Sequence, residues 1–325
     1  MAHAIEMESV RKTFGEKVAV EGLDLTVERG SLLGLIGPNG AGKTTSIRMI
    51  MSILFPDSGE LSVLGKRSAV ESKDQIGYLP EERGVYKKMK VGAFLRHMAA
   101  LKGVPTDGIG RKISEWLEKV ELADVAKKKC EELSKGMQQK VQFIASVLHE
   151  PELLILDEPF SGLDPVNMRL LRDLIREQHD RGTTVIFSTH VMIQAQDICD
   201  RIVMIHQGRK VLDDTISDIR RRHETRVIEF EPLDPSGMES LSVDGLVPGA
   251  RAGEKAWEAD IGDGVEPARA LAALASAVPL ARAELRRPSL EDVFIEIVTD
   301  GGASEEELRA AVRAGAVGLD DEGVA

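Results

Sequence analysis

Leu32-Leu33-Gly34-Leu35-Ile36-Gly37-Pro38-Asn39-Gly40-Ala41-Gly42-Lys43-Thr44-Thr45 is the stretch that decides the fold class. Leu32–Ile36 is a short apolar run, as expected of a strand buried on both faces. A glycine-rich turn follows, and a helical pattern then runs from Lys43 to about Leu54. Residues 37–44 fit the G-x-x-x-x-G-K-[ST] loop in full, between a strand and a helix as its mechanism requires. Glycines let backbone N–H groups turn inward around phosphate oxygens, and the new helix adds its positive end. Lys43 is then placed for the β- and γ-phosphates and the Thr44 hydroxyl for Mg²⁺. A plain glycine-rich turn is the bland alternative, and it weakens once a second motif is present.

That motif is Leu153-Leu154-Ile155-Leu156-Asp157-Glu158, four apolar residues and then two carboxylates at the end of a buried strand. Asp157 suits the metal shell, and Glu158 suits the orientation or deprotonation of an attacking water. Further apolar strands are expected at Thr184–Ser188 and Ile202–Ile205, alternating with helical stretches. The alternation implies a parallel α/β sheet. Residues 1–30 alternate as strands do, and Pro56-Asp57-Ser58-Gly59 reads as a turn. A mostly helical block at 91–150 interrupts the alternation as an inserted subdomain. Its expected apolar faces carry Phe94, Met98 and Leu101, then Ile113, Trp116, Leu117 and Val120. Near residue 222 the pattern changes to short strand-like pieces (226–230, 256–261, 283–286) between helical ones (267–277, 289–298), a small α+β module. Residues 301–325 are rich in Gly, Ala and acid and read as a flexible tail.

Bulk properties narrow the function. The chain has 325 residues and a net charge of −12, which disfavours wrapping nucleic acid. No run of about 18 apolar residues marks a transmembrane helix. The start, MAHAIEMESVRK, lacks a secretory core, so a cytoplasmic location is expected. Cys130 and Cys199 have no metal-like spacing and read as reduced, packing thiols. Action on a membrane would need a separate membrane partner.

Between the two nucleotide motifs lies Leu133-Ser134-Lys135-Gly136-Met137-Gln138-Gln139-Lys140, and downstream come Ser161-Gly162-Leu163-Asp164 and His190. In order and spacing across residues 5–215 these elements resemble the ABC (ATP-binding cassette) ATPase family: Walker A, signature, Walker B, D-loop and switch histidine. The resemblance implies a P-loop NTPase core, α/β, with an inserted helical subdomain at about 85–150. It gives domains at 1–221 and 222–300, the second an accessory α+β domain. It implies ATP and Mg²⁺ as cofactors. It also implies a homodimer or heterodimer in which Ser134, Lys135, Gly136 and Met137 of one subunit bind the γ-phosphate held by the other. Ser134 also reads simply as a helix N-cap. His190 would bond the γ-phosphate. Phe14 stands where the family stacks an aromatic ring on adenine, although a core Phe is the rival reading.

Three departures stand out, the first being Lys135 where the signature usually has a glycine. Met137 replaces a signature glutamine and loses an amide contact that Gln138 is a candidate to restore. Glu81, in Ile76-Gly77-Tyr78-Leu79-Pro80-Glu81-Glu82, stands where a Gln usually lies near Mg²⁺, and a carboxylate can serve a metal too. A solvated acidic turn is the alternative there, as half-buried packing is for Tyr86. Pro80-Glu81-Glu82-Arg83-Gly84 and Pro288-Ser289-Leu290-Glu291-Asp292-Val293-Phe294 resemble bacterial ABC-2 exporter subunits, some described as sodium- or drug-efflux ATPases. The expected role is an ATP-hydrolysing subunit, peripheral on the inner face of the membrane through a permease. A soluble ABC ATPase acting on ribosome or nucleic acid, or an importer ATPase, is the alternative.

Overall fold

The computed structural model describes residues 3–300 except 83, 223–226, 254–255, 263 and 287–288. The acidic tail expected at 301–325 lies outside the described residues, as do Arg226 and Pro288. Two compact units divide between Ile216 and Ser217, residues 295–300 being grouped with the first.

The first unit opens with β1 (His3–Phe14), β2 (Lys17–Glu28), β3 (Leu32–Ile36), α1 (Lys43–Ile50), β4 (Ser58–Val63) and β5 (Ile76–Leu79). The helical insert follows as α2 (Val91–Leu101), α3 (Ile109–Lys119) and α4 (Lys135–Val147). Then come β6 (Leu153–Asp157), α5 (Pro165–Asp180), β7 (Thr184–Thr189), α6 (Met192–Ile198), β8 (Arg201–His206) and β9 (Arg209–Thr215), after which α7 (Ile216–Arg222) begins at the last residue before the division and continues in the second unit. The Arg220-Arg221-Arg222 run lies inside α7.

A six-stranded sheet runs β5-β6-β7-β3-β8-β9, parallel throughout except for the antiparallel edge strand β9. β3 and β6 are buried at every position, which explains their near-continuous apolar sequence. A second, antiparallel sheet runs β2-β1-β4. Its inward residues, among them Ile5, Met7, Leu23 and Leu25, share one core with Ile47 and Met49 of α1 and with Leu33, Ile155 and Val203 of the parallel sheet. Each such side chain, fully buried, contributes on the order of 1.5–3 kcal/mol. That core fixes α1, and with it the glycine-rich loop, against both sheets.

Two expectations need correction, and three strands were not expected. α1 stops at Ile50 rather than near Leu54, because Ser52 turns to φ 54 and the N–H groups of Ile53 and Leu54 both fold back onto Arg48 O. The buried face of α2 is Val91, Phe94, Leu95 and Ala99, whereas Leu101 is 56% exposed. Strands β4 and β9 join the sheets without an apolar run to announce them, and β5, IGYL, is largely buried but only four residues long. SGELSV and RKVLDDT are half-exposed edge strands, polar on the outer side.

In the second unit β10 (Val227–Pro232), β11 (Ala250–Ala252), β12 (Trp257–Asp260) and β13 (Leu280–Leu285) form an antiparallel sheet in the order β11-β12-β10-β13. α8 (Pro267–Ala277) sets Ala270 and Leu274 against Ile228, Phe230 and Ala259. The chain then enters α9 (Leu290–Asp300).

Candidate functional site

The loop from Gly37 to Lys43 is shaped by the absence of side chains at two points. A Cβ on Gly37, at φ +150, would fall 2.1 Å from Ile205 O, and one on Gly42, at φ +110, would fall 2.5 Å from Ala19 O. Only glycine lets the loop pass so close to β8 and β2. Pro38, Asn39 and Gly40 form the outer rim, Ala41 N–H closes onto Pro38 O at 3.1 Å, and Lys43, Thr44 and Thr45 begin α1. Lys43 is 6% exposed. Its Nζ donates to Gly37 O at 2.7 Å and Pro38 O at 3.2 Å. Burial lowers its pKa, opposed by the charges of Glu158, Asp157 and Glu81.

Asp157 and Glu158 face this ammonium from the end of β6. Asp157 Oδ1 accepts from Ser188 Oγ at 2.5 Å and more loosely from Thr44 Oγ1 at 3.4 Å. Its Oδ2 is buried without a hydrogen-bond partner. Burial raises the Asp157 pKa, with the Ser188 bond opposing and the Glu158 charge adding. Glu158 adopts φ 47, a left-handed conformation that costs a non-glycine residue energy. Its N–H is bound by Ser188 O and Ser188 Oγ, both at 3.2 Å. One carboxylate oxygen, Oε1, meets Lys43 Nζ at 3.8 Å and His190 Nδ1 at 2.8 Å. A carboxylate only accepts, so this contact places the imidazole proton on Nδ1.

Glu81 stands close enough to feel this cluster. Partial burial raises its pKa, and the charges of Asp157 and Glu158 push it the same way. Tyr78, on β5, is pushed up to about 12 by burial and by Asp157. Ser188 was not expected from the sequence. Its signal, a hydroxyl at the buried end of an apolar strand just before His190, reads as packing until the strands are paired.

The signature and the D-loop form a second cluster. Ser134 Oγ caps α4 by accepting from Met137 N–H at 3.3 Å. Lys135 is exposed and Met137 half-buried. A Cβ on Gly136 would lie 3.4 Å from Leu163 Cδ2, so signature and D-loop touch. Ser161 N–H bonds Glu158 O, Gly162 turns at φ +69, and Asp164 Oδ1 caps α5 through the N–H groups of Val166 and Asn167. Gln138 does not restore the missing signature amide, because its Nε2 donates inward to Cys130 O and Leu133 O, both at 3.1 Å. No hydrogen bond or ion pair joins residues 134–137 to the loop at 37–45 among the described residues.

Phe14 is 49% exposed at the β1–β2 turn, so it is not a core ring. Tyr86 is 51% exposed and packs its ring edge-on to Phe94 at 5.9 Å.

Among the described residues no three His, Cys, Asp or Glu side chains converge as a self-sufficient metal cage. The donor set nonetheless fits a Mg²⁺ carried in with nucleotide phosphates, which needs few protein ligands. The unpartnered Asp157 Oδ2, the adjoining Thr44 hydroxyl and the mutual repulsion of Asp157, Glu158 and Glu81 all favour a cation there.

Comparison with known proteins agrees with this geometry. Residues 20–161 match the ABC transporter family, and residues 215–298 match the C-terminal domain of ATP-binding proteins like DrrA1-3. The chain is 39% identical over 302 residues to the ABC transporter ATP-binding protein YhaQ of Bacillus subtilis, covering 90% of this chain and 98% of that one. It is 33% identical over 298 residues to the Nod factor export ATP-binding protein I of a Rhizobium species, covering 90% and 96%. A solved ATP-binding subunit of an ABC transporter superposes with TM-score 0.63 at 32% identity, over 67% of this chain and 92% of the other. With its glycine-rich loop, paired carboxylates and His190 gathered in one place, the chain belongs to the ATP-binding, ATP-hydrolysing subunits of ABC transporters.

Proposed function

We propose that this subunit hydrolyses ATP as one of a pair and drives a separate membrane-spanning partner in export. The observation that carries the pairing is the separation of two clusters on one chain. Glu158 contacts both Lys43 and His190, while Ser134, Gly136 and Leu163 gather with no bond to the phosphate loop among the described residues. A signature built around a capped helix N-terminus, with its serine hydroxyl and exposed lysine, suits a phosphate brought by a second copy, identical or not.

Hydrolysis is phosphoryl transfer to water. Lys43 exchanges the Gly37 and Pro38 carbonyls for phosphate oxygens, a charge-assisted contact in a buried setting. Glu158 accepts the proton of the attacking water as its oxygen bonds the γ-phosphorus and ADP departs. His190 holds the Glu158 carboxylate in place through Nδ1. Thr44 and Asp157, with Glu81 beside them, would hold Mg²⁺, whose role is to neutralise charge on the β- and γ-oxygens.

Export is supported by the Nod factor export relative, matched over nearly its full length. Among the described residues no helix is long and apolar enough to cross a membrane. Affinity purification of the full chain from detergent-solubilised membranes tests the reading. A polytopic membrane protein should co-elute in stoichiometric amount. Co-elution of ribosomes in its place would overturn it.

A further inference from the structure

β1 has partners on both sides for most of its length, β2 on one and β4 on the other. The ladder with β4 ends at Arg11↔Ser58, whereas the ladder with β2 continues to Phe14↔Lys17. Residues 12–14 therefore run on past the end of β4 with one edge bare. At that point the side chain of Asp57 takes the place of a strand. Its Oδ2 accepts from Thr13 N–H and from Thr13 Oγ1, both at 2.7 Å, and its Oδ1 accepts from Lys12 Nζ at 2.8 Å. Its own N–H donates to Arg11 O at 2.8 Å, which fixes the carboxylate to the strand it supports. These hydrogen bonds, the one from Lys12 the largest influence, hold the Asp57 carboxyl down to about 2, so it stays ionised at any working pH.

The residue that benefits is the next one along. The ammonium of Lys12, held by Asp57, lies 5.7 Å from the centroid of Phe14, within cation–π range. Lys12 is only 17% exposed on its side chain, while Phe14 keeps 49% of its surface open. One carboxylate thus pins the backbone before the ring and the cation against it, and leaves ring surface uncovered. A few residues on, Ala19 O lies against Gly42 of the phosphate loop, so the same hairpin that carries Phe14 borders the cradle.

We infer that Asp57 is a positioning residue for nucleotide binding: it holds Phe14 ready for the base while touching no nucleotide atom itself. This rests on the reading of Phe14 as the adenine-stacking ring. A ring fixed before binding loses less freedom when the base arrives, so affinity falls if the fixing is removed.

The test uses the full chain, with ATP and inorganic tripolyphosphate as probes. Asp57→Ala should raise KM for ATP about threefold to tenfold, of the order of one stacking contact, and leave kcat near the parent value. Asp57→Asn, which keeps an acceptor but loses the charge on Lys12, should fall between. Inhibition by tripolyphosphate, which has no base, should be unchanged in both. In the Phe14→Ala background, Asp57→Ala should add nothing further, because the ring it positions is gone. The inference is overturned if Phe14→Ala raises KM and Asp57→Ala does not, if the two effects add in full, or if tripolyphosphate inhibition weakens in step with ATP. Unchanged KM in Phe14→Ala itself would instead remove the stacking role, and this inference with it.

Discussion

Glu158 holds a left-handed φ of 47, and the cost is met by two contacts from Ser188 to its N–H and by Lys43 and His190 at its carboxylate. The geometry aims one acidic oxygen back over the phosphate loop rather than along the strand. Away from this cluster, His149 shows how burial alone sets a titration. Its Nε2 contacts Ile76 O at 3.1 Å, its Nδ1 is buried without a partner, and burial, helped by the charge of Lys102, depresses its pKa to about 4. The unfolded chain has an ordinary histidine near 6.5. Between those values the unfolded state binds the proton and the folded state does not, so stability is complete above about 6.5 and falls as pH drops toward 4. Urea midpoints at pH 7 and pH 5 should therefore differ less in His149→Gln than in the parent. An equal pH dependence in both would show that other groups set the slope.

At the scale of elements, α4 has two tasks that one residue joins. Ser134 caps the helix, which buries every residue from Gln139 to Val147, and it also presents the signature hydroxyl. Ser134→Ala should cost about 1 kcal/mol of stability and also slow ATP hydrolysis. Ser134→Asp keeps a capping oxygen but sets an anion where the γ-phosphate is expected. Thermal unfolding should recover in that variant while the ATPase rate stays low. Recovery of both would reduce Ser134 to a cap. What was legible in advance follows the same division. β3, β6, β7 and β8 were plain because strands buried on both faces must be apolar. The residues of the phosphate loop were plain because glycine at those positions answers a geometric demand. The partly exposed strands β4 and β9 were not, since pairing rather than composition makes them strands, and β5 is only four residues long. Ser188 and the inward turn of Gln138 were hidden for a related reason: their partners, Asp157 and Cys130 O, lie 31 and 8 residues away.

For the whole molecule, the two clusters on one chain make assembly the decisive question. Glu158 and His190 stand together beside Lys43 of the phosphate loop, whereas among the described residues no hydrogen bond or ion pair joins residues 134–137 to that loop, a contact that the proposed pairing leaves for a second copy. Light scattering on the Glu158→Gln variant, with and without Mg²⁺ and ATP, reads this directly in parallel with its ATPase rate. The substitution keeps the shape and a hydrogen-bonding group while removing the base. A monomer without nucleotide, a dimer with ATP and a hydrolysis rate reduced at least about a hundredfold are expected. A variant that stays monomeric with ATP and hydrolyses it at the parent rate would contradict both the role of Glu158 and the paired site.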